Sequence, residues 1–387
     1  MKSPSKKLAN VPKSGIRKLF DLLSASEDTI SLGIGQPDFK TPDVVVESTI
    51  DALKKERGSV YAPTRGLPEL KELVAEKLKN ENNIDSNPDE NVIITPGGSG
   101  AITLAFASIL NPGDELLMCS PNFVSYFYVS LFFDGIIQEV PRNEDHSLDE
   151  DTFERKVTEK TKCIIINSPN NPTGYAFEKK ELEKIVDICI ENDLYLISDE
   201  VYEKFIYEDT THISPASLNG MEDRVITLNA ASKIFSVTGF RVGYLSAPSS
   251  LTPLMENFLQ YTSAGVNHPA QYGTIAGMAY ARDNPGFLSE TIKAYQHKRD
   301  ICYKRLNEIG LNCPKAKGAF YVMPSVASTG LSAAGFSEKL IKEKGVAVVP
   351  GGTFGKFSLD KVRISFALDD KSLNEALDRI ESFMKTI

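Results

Sequence analysis

The chain has 387 residues, 41% hydrophobic and 25% charged, with a formal net charge of −9. This is an ordinary globular composition, long enough for two lobes with large cores, and its acidic balance argues against nucleic acid or an anionic membrane as partner. No apolar run reaches the roughly 18 residues that span a bilayer, so no membrane segment is expected.

The start, MKSPSKKLANVPKSG, is basic without an apolar stretch, and no secretory signal is expected from it. Cys119, Cys163, Cys189, Cys302 and Cys313 are widely spaced with no CxxC, which predicts reduced core cysteines in a cytoplasmic protein. The four histidines are scattered, and no metal site is expected.

Residues 1–30 place Ile16, Leu19, Phe20 and Leu23 at helical spacing. In Ser31-Leu32-Gly33-Ile34-Gly35-Gln36-Pro37-Asp38-Phe39, two glycines and Pro37 mark a tight connection where backbone can approach a ligand. A plain turn is the simpler reading of the same residues. Residues 42–56 and 69–79 have helical patterns, the second with Leu70, Leu73, Val74 and Leu78 on one face, and Tyr61-Ala62-Pro63-Thr64-Arg65-Gly66-Leu67-Pro68 breaks between them.

Residues 92–95 read as a short strand, Gly97-Gly98-Ser99-Gly100 as a loop, and 101–110 as an almost wholly apolar helix. That order presents free N–H groups and a positive helix end to a phosphate. It is neither the dinucleotide fingerprint nor a P-loop, and a structural glycine turn reads equally well.

Strands are then expected at 115–120, 135–141, 163–168, 194–199, 225–228 and 242–247, and a helix at 180–192 with Leu182, Ile185, Val186 and Cys189 facing inward. Long apolar strands alternating with helices predict an α/β fold with a mainly parallel sheet covered on both faces. Residues 285–310 read as one long helix and as the hinge between lobes. Strands at 318–323, 345–349 and 362–366 and a closing helix at 372–387 predict a smaller α+β domain. The expected division is 1–40, an N-terminal segment joining the small domain; 41–284, the large domain; and 285–387, the small domain.

In an open α/β sheet, ligands bind beyond the carboxyl ends of the strands. There the sequence places Asn170-Asn171-Pro172-Thr173-Gly174, Asp199-Glu200-Val201-Tyr202 and the segment holding Lys233. Lys233 and Arg241 lie in an otherwise apolar, small-residue stretch between two expected core strands. A lysine there is costly unless it is paired or covalently used. We read it as used, its amine carrying an aldehyde cofactor as a Schiff base.

Asp199 would pair with a protonated pyridine nitrogen, or else it caps a helix. Asn171 and Tyr202 would donate to a ring oxygen, or else they are a turn residue and a core aromatic. Phe123 would lie flat on the ring, or else it is plain core. Arg241 suits a phosphate as a planar fork. Arg363, in the alternating run Lys361-Val362-Arg363-Ile364-Ser365-Phe366, would clamp a carboxylate or else sit on a solvated strand face.

Ser168-Pro169-Asn170-Asn171-Pro172-Thr173-Gly174, Ser198-Asp199-Glu200-Val201-Tyr202, Ser232-Lys233 with Thr238-Gly239-Phe240-Arg241-Val242-Gly243-Tyr244, and Arg363-Ile364-Ser365 occur in one order. Together they resemble the fold-type I aminotransferases of class I and II that use pyridoxal 5′-phosphate. The likeness is nearest to prokaryotic and archaeal aspartate or aromatic amino acid transaminases, and it covers residues 33–367.

The resemblance implies a large domain built on a mainly parallel seven-stranded sheet. It implies Lys233 as the Schiff-base lysine, Asp199 on the pyridine nitrogen, and Asn171 and Tyr202 on the ring oxygen. It implies Arg241, Gly98 and Ser99 around the phosphate, Ser232 among the residues that bind the cofactor, and Arg363, Gly35 and Asn171 on the substrate carboxylate. Tyr61 resembles the tyrosine that reaches the phosphate of a neighbouring subunit, which implies a homodimer with shared sites. Two departures are visible: family members often carry tryptophan where Phe123 stands, and many carry serine where Ala230 stands.

The implied activity is ping-pong transamination between an amino acid and a 2-oxo acid such as 2-oxoglutarate. A carbon–sulfur lyase on the same fold would share these residues. A cofactor-sensing regulator would carry a DNA-binding domain ahead of them. Gln260-Tyr261-Thr262-Ser263-Ala264-Gly265-Val266-Asn267 is read as lining the pocket and offers no arginine for a side-chain carboxylate, so an aromatic or broad substrate preference is expected.

Overall fold

In the computed structural model, residues 2–9, 11 and 28–387 are described. The expected helical face of Ile16, Leu19, Phe20 and Leu23 lies outside them.

Seven strands form the central sheet: β2 (Val92–Thr95), β3 (Glu115–Ser120), β4 (Ile136–Pro141), β5 (Thr161–Asn167), β6 (Tyr195–Asp199), β7 (Val225–Ala230) and β8 (Gly243–Ser246). Their order is β2-β8-β7-β6-β5-β3-β4. The β3–β4, β3–β5, β5–β6 and β6–β7 pairs are parallel, and β8 runs antiparallel to β2 and β7. The fold is therefore the α/β arrangement expected, with one reversed strand in a mainly parallel sheet. Strands β2, β3, β7 and β8 are buried along their whole length, as a sheet covered on both faces requires.

One face carries the helices Gly97–Ile109 and Thr252–Thr262, with Phe106, Leu116, Ile165, Leu228 and Met255 in the shared core. The other carries Lys179–Glu191, with Ile185, Val186 and Cys189 packed on Ile164, Ile166 and Leu196. The helix expected at 101–110 starts four residues earlier, at Gly97. Glycine is needed at Gly97, which takes φ +70°, and at Gly243 in β8, where a Cβ would lie 2.6 Å from the Gly97 carbonyl carbon.

A three-stranded antiparallel sheet joins β9 (Tyr321–Val322), β11 (Val349–Pro350) and β12 (Val362–Ser365) in the order β11-β12-β9. Strand β1 (Ile30–Ser31) pairs in parallel with β10 (Val346–Ala347), so chain from the N-terminal part lies against C-terminal chain. The run 318–323 keeps only two strand residues because Ala319 takes φ +54°, which turns the chain. The run 345–349 divides because its first half pairs with β1 and its second with β12. The helices Ser289–Glu308 and Asp370–Met384 close this region over Tyr295, Leu306, Phe320 and Phe383.

Behind the β6 end lies a buried charged network. Glu200 Oε2 accepts from Ser214 Oγ at 2.5 Å and faces His212 Nε2 at 2.9 Å. Glu203 accepts from Lys77, from Asn82 Nδ2 at 2.7 Å and from Asn229 Nδ2 at 2.6 Å. Glu200, Glu203 and His212 bring ligand atoms within 4.8 Å of one another. Both carboxylates are already matched by Lys77, Asn82, Asn229 and Ser214, which is how buried charge is tolerated. Because Glu200 and Glu203 turn into this network, their neighbours Asp199 and Tyr202 are left to face the other way.

Candidate active site

Strands β3, β5, β6 and β7 are mutually parallel, so their carboxyl ends share one rim. A cavity of about 250 Å³ opens there, between that rim and residues of β9, β12 and the chain after β1. Gly35, Gly98, Ser99, Phe123, Asn171, Asp199, Tyr202, Ser232, Lys233, Arg241 and Arg363 all line it.

Tyr61 does not line this cavity. It is 89% exposed and borders a separate cavity of about 570 Å³ with Phe240, Ser263, Asn267 and His268. The segment Gln260-Tyr261-Thr262-Ser263-Ala264-Gly265-Val266-Asn267 is likewise displaced: its residues Ser263, Gly265, Val266 and Asn267 border the Tyr61 cavity instead. Ala264 and Gly265 take positive φ there and fold the segment against Ala62, leaving no room for a Cβ on Gly265 beyond 3.1 Å from the Ala62 oxygen.

Lys233 is carried by the single-turn helix Ala231–Ile234 directly after β7. Its Nζ donates to the Gly35 oxygen and lies 5.8 Å from the Tyr202 ring centre and 5.7 Å from that of Phe320. Burial, then the positive charges of Arg363 and Arg241, lower its pKa to about 8, with Asp199 opposing.

Asp199 ends β6 and is 4% exposed. Burial pushes its carboxyl up to about 6, while hydrogen bonds from Tyr126 (2.6 Å, to Oδ2) and the Val201 N–H (3.2 Å, to Oδ1) hold it down. The helix-cap alternative for Asp199 is not what is observed, since no helix begins there.

Asn167, the last residue of β5, ties two strand ends together: its Nδ2 donates to the Asp199 backbone carbonyl at 3.0 Å and its Oδ1 accepts from the Asn171 N–H at 2.7 Å. Asn171 Oδ1 in turn accepts from Arg363 Nη1 at 2.9 Å, and Arg363 Nη2 donates to the Gly33 oxygen at 2.6 Å. Arg363 is fully buried between the Tyr321 and Phe354 rings, and its Nε has no partner among the described residues. A buried guanidinium that lines a cavity is suited to a carboxylate.

Arg241 holds φ +56°, a strained value for a side-chain-bearing residue. Its Nη1 donates to the Thr238 oxygen at 3.0 Å, and its guanidinium lies over the start of the helix Gly97–Ile109. A Cβ on Gly97 would sit 2.4 Å from Arg241 Nη2. Helix N–H groups and a guanidinium thus converge on one point, an arrangement for an anion.

Tyr126, Tyr321 and Asn167 are contributors that the sequence motifs did not single out. Tyr321 hydroxyl pairs with Tyr202 hydroxyl at 2.9 Å and would clash at 2.1 Å with a Cβ on Gly35. Tyr126 sits three residues after Phe123, a helical spacing that pairs the two rings edge to face at 5.6 Å.

A family model described as "Aminotransferase class I and II" matches residues 27–380. The chain belongs to this family. The aminotransferase is 44% identical over 386 residues to an aspartate aminotransferase of Pyrococcus abyssi, covering 98% of each chain. It is 43% identical to aromatic-amino-acid aminotransferase 2 of Thermococcus litoralis, again with 98% of each covered. Among solved structures it resembles the aromatic aminotransferase from Pyrococcus horikoshii, with a TM-score of 0.90, 43% identity and coverage of 95% of this chain and 99% of that one. It also resembles the Thermus thermophilus aspartate aminotransferase with maleate, with a TM-score of 0.93, 34% identity and coverage of 99% and 100%.

Enzymes of this family transfer amino groups with pyridoxal 5′-phosphate, and this aminotransferase carries out transamination. Its cavity fits that cofactor. The anion point at Arg241 suits the phosphate, the buried carboxylate of Asp199 suits a cationic ring nitrogen, and Lys233 supplies an amine of lowered pKa. Among the described residues no helix is long and apolar enough to cross a membrane.

Proposed function

We propose that the aminotransferase acts on amino acids with aromatic or other apolar side chains and on the corresponding 2-oxo acids, and that the residues around Lys233 divide the work as follows. Pyridoxal 5′-phosphate, when bound, supplies an aldehyde that captures the substrate amine and a ring that accepts electrons from it.

Arg241, Gly98, Ser99 and Ser232 hold its phosphate. Asp199 keeps a proton on its ring nitrogen, and Asn171 and Tyr202 donate to its ring oxygen. Phe123 covers one face of the ring. Arg363, Asn171 and the Gly35 backbone take the substrate carboxylate. Lys233 Nζ, with a pKa near 8, is close enough to neutrality to take the substrate's α proton and give it back.

The observation that carries the substrate class is the use of positive charge. Lys233, Arg241 and Arg363 are the cations lining the cavity. Each is committed, to the amine, the phosphate and the α-carboxylate. The lining residues left without a role are Ile34, Ile102, Val201, Ala230 and Tyr321, with Asn167 and Thr238 as the polar ones, and none of them is charged. A side-chain carboxylate would be desolvated there without a partner, which is costly.

The test is a half-reaction screen. The loaded enzyme is mixed with single amino acids, and the loss of the bound cofactor's visible absorption is followed. Tyrosine and phenylalanine are expected to react at least about tenfold faster than aspartate, a charge-pairing difference of about 1.4 kcal/mol or more. Fastest reaction with aspartate would overturn the substrate class.

The same reading includes a homodimer in which Tyr61 reaches the partner's phosphate. Exposed Ile50, Leu53, Val60, Tyr61 and Tyr261 support it, since aromatic and aliphatic side chains so open to water favour an interface. It also includes a large lobe of 41–284 and a small lobe of 285–387 joined by 1–40, supported by the pairing of β1 with β10. A cytoplasmic location is supported by five buried, unpaired cysteines.

A further inference from the structure

The carboxylate of Asp199 has two faces. One looks into the cavity; the other is met by Tyr126, which does not line the cavity and is wholly buried. Tyr126 lies on the helix Val124–Phe132, in the core with Ile102, Ala105, Met118 and Ile165, and its hydroxyl donates to Asp199 Oδ2 at 2.6 Å. The Val201 N–H takes the other oxygen. Both carboxylate oxygens are therefore fixed in direction before any ligand arrives.

We propose that Tyr126 is a positioning residue for transamination: its hydroxyl holds Asp199 ionised and in one rotation, so that the carboxylate keeps the proton on the cofactor's ring nitrogen. This rests on the role given above to Asp199.

The chemistry favours a phenol for this duty. A buried carboxylate reverts to the neutral acid unless something stabilises its charge. Lysine or arginine at this position would stabilise it but also cancel the negative charge that a cationic ring nitrogen requires. A phenol donates a short, charge-assisted hydrogen bond and adds no formal charge. Tyr126 stays neutral in this role, because burial and the neighbouring Asp199 both push its own pKa well up. The other titratable groups facing Asp199 are Glu200, beside it on the same turn, Tyr202 and Lys233. Glu200 opposes the ionised form, Lys233 supports it from the far side of the cavity, and Tyr126 is the side chain in hydrogen-bond contact.

The test compares Tyr126→Phe, which keeps the ring and removes the hydroxyl, with wild type and Asp199→Asn. In the cofactor-free protein, infrared difference spectra across pH 4 to 9 report the protonation of Asp199, with Asp199→Asn as the blank. Its midpoint is expected to rise by about one pH unit or more in Tyr126→Phe, the loss of one charge-assisted hydrogen bond. Affinity for added pyridoxal 5′-phosphate, read by fluorescence titration, is expected to fall about tenfold or more at neutral pH, and to recover in part in Tyr126→His, which restores a donor.

A bond that only satisfies a buried phenol would cost stability and leave the Asp199 midpoint and its pH profile in place; that outcome overturns the inference. Should Tyr126→Phe not fold, 3-fluorotyrosine at position 126 keeps the side chain and makes the donor more acidic. The Asp199 midpoint should then fall, and an unchanged midpoint is refuting. If Asp199→Asn binds the cofactor as wild type does, the role of Asp199 itself is wrong. If Asp199→Asn is impaired and Tyr126→Phe is not, only the role of Tyr126 fails.

Discussion

Lys233→Met should make the cofactor-free protein more stable at neutral pH. The side chains have similar length, so the change replaces an ammonium by an apolar group with little change in volume. The fall of the lysine pKa from 10.5 to about 8, at about 1.4 kcal/mol per tenfold change in proton affinity, corresponds to about 3 kcal/mol. Part of the stem is open to the cleft, but the ammonium faces Tyr202, Phe320 and the Gly35 oxygen, so most of that figure stands. Losing the bond to Gly35 subtracts about 1 kcal/mol, leaving a net gain of about 2 kcal/mol.

The sign with pH follows. Below about pH 8 the amine is protonated in both folded and unfolded chains, and the full cost is present. Between about 8 and 10.5 the folded chain gives up its proton first, and the cost declines. The advantage of Lys233→Met should therefore be largest at pH 7 and shrink toward zero by about pH 9.5. Urea unfolding of both cofactor-free proteins at several pH values measures it. A variant no more stable at pH 7, or an advantage that does not change with pH, would refute the reasoning.

Three other outcomes follow from the site. Arg363→Lys keeps the charge and loses the planar fork, so KM for the amino acid should rise about 30-fold or more while cofactor affinity is unchanged; equal loss of both would mean that Arg363 supports the fold rather than the substrate. Gly97→Ala puts a Cβ 2.4 Å from Arg241 Nη2 at φ +70°, and affinity for pyridoxal 5′-phosphate should drop by about tenfold or more; unchanged binding in a titration would remove the phosphate from this point. Lys233→Ala and Tyr61→Ala chains should each have little activity alone and regain it when mixed and allowed to exchange subunits. One of the two sites in a mixed dimer then has both residues intact, and failure to complement would place Tyr61 outside the partner's site.

Much of the site was legible because chemistry collects at strand ends, and strand ends are visible. Apolar runs stop abruptly at Asn167, Asp199 and Asn229, and the polar residues that follow must face the rim. The contributors that stayed hidden, Tyr126 and Tyr321, lie inside apolar runs. Whether a tyrosine there faces a carboxylate or plain core depends on helix phase and strand register, which the rest of the fold sets. Tyr61 entered only through the family likeness, since within one chain it borders a different cavity from Lys233. Gly97 to Gly100 reads as a loop on propensity, yet it forms the first helical turn, with no room for a Cβ on Gly97 against Arg241 or on Gly100 against Pro96. The C-terminal strands are shorter than expected because their breaks, at Ala319 and Val348, come from a turn and from a change of partner strand that periodicity does not record.

The central claim is that Lys233 is the residue that carries the cofactor. Treating the loaded enzyme with borohydride fixes the bound pyridoxal group to the amine that holds it, and peptide mass spectrometry then locates it. The account predicts one pyridoxyl group per chain, on Lys233, and none on the half-buried Lys77 or the buried Lys298. A label on another lysine, or a loaded enzyme that acquires no label, would contradict it.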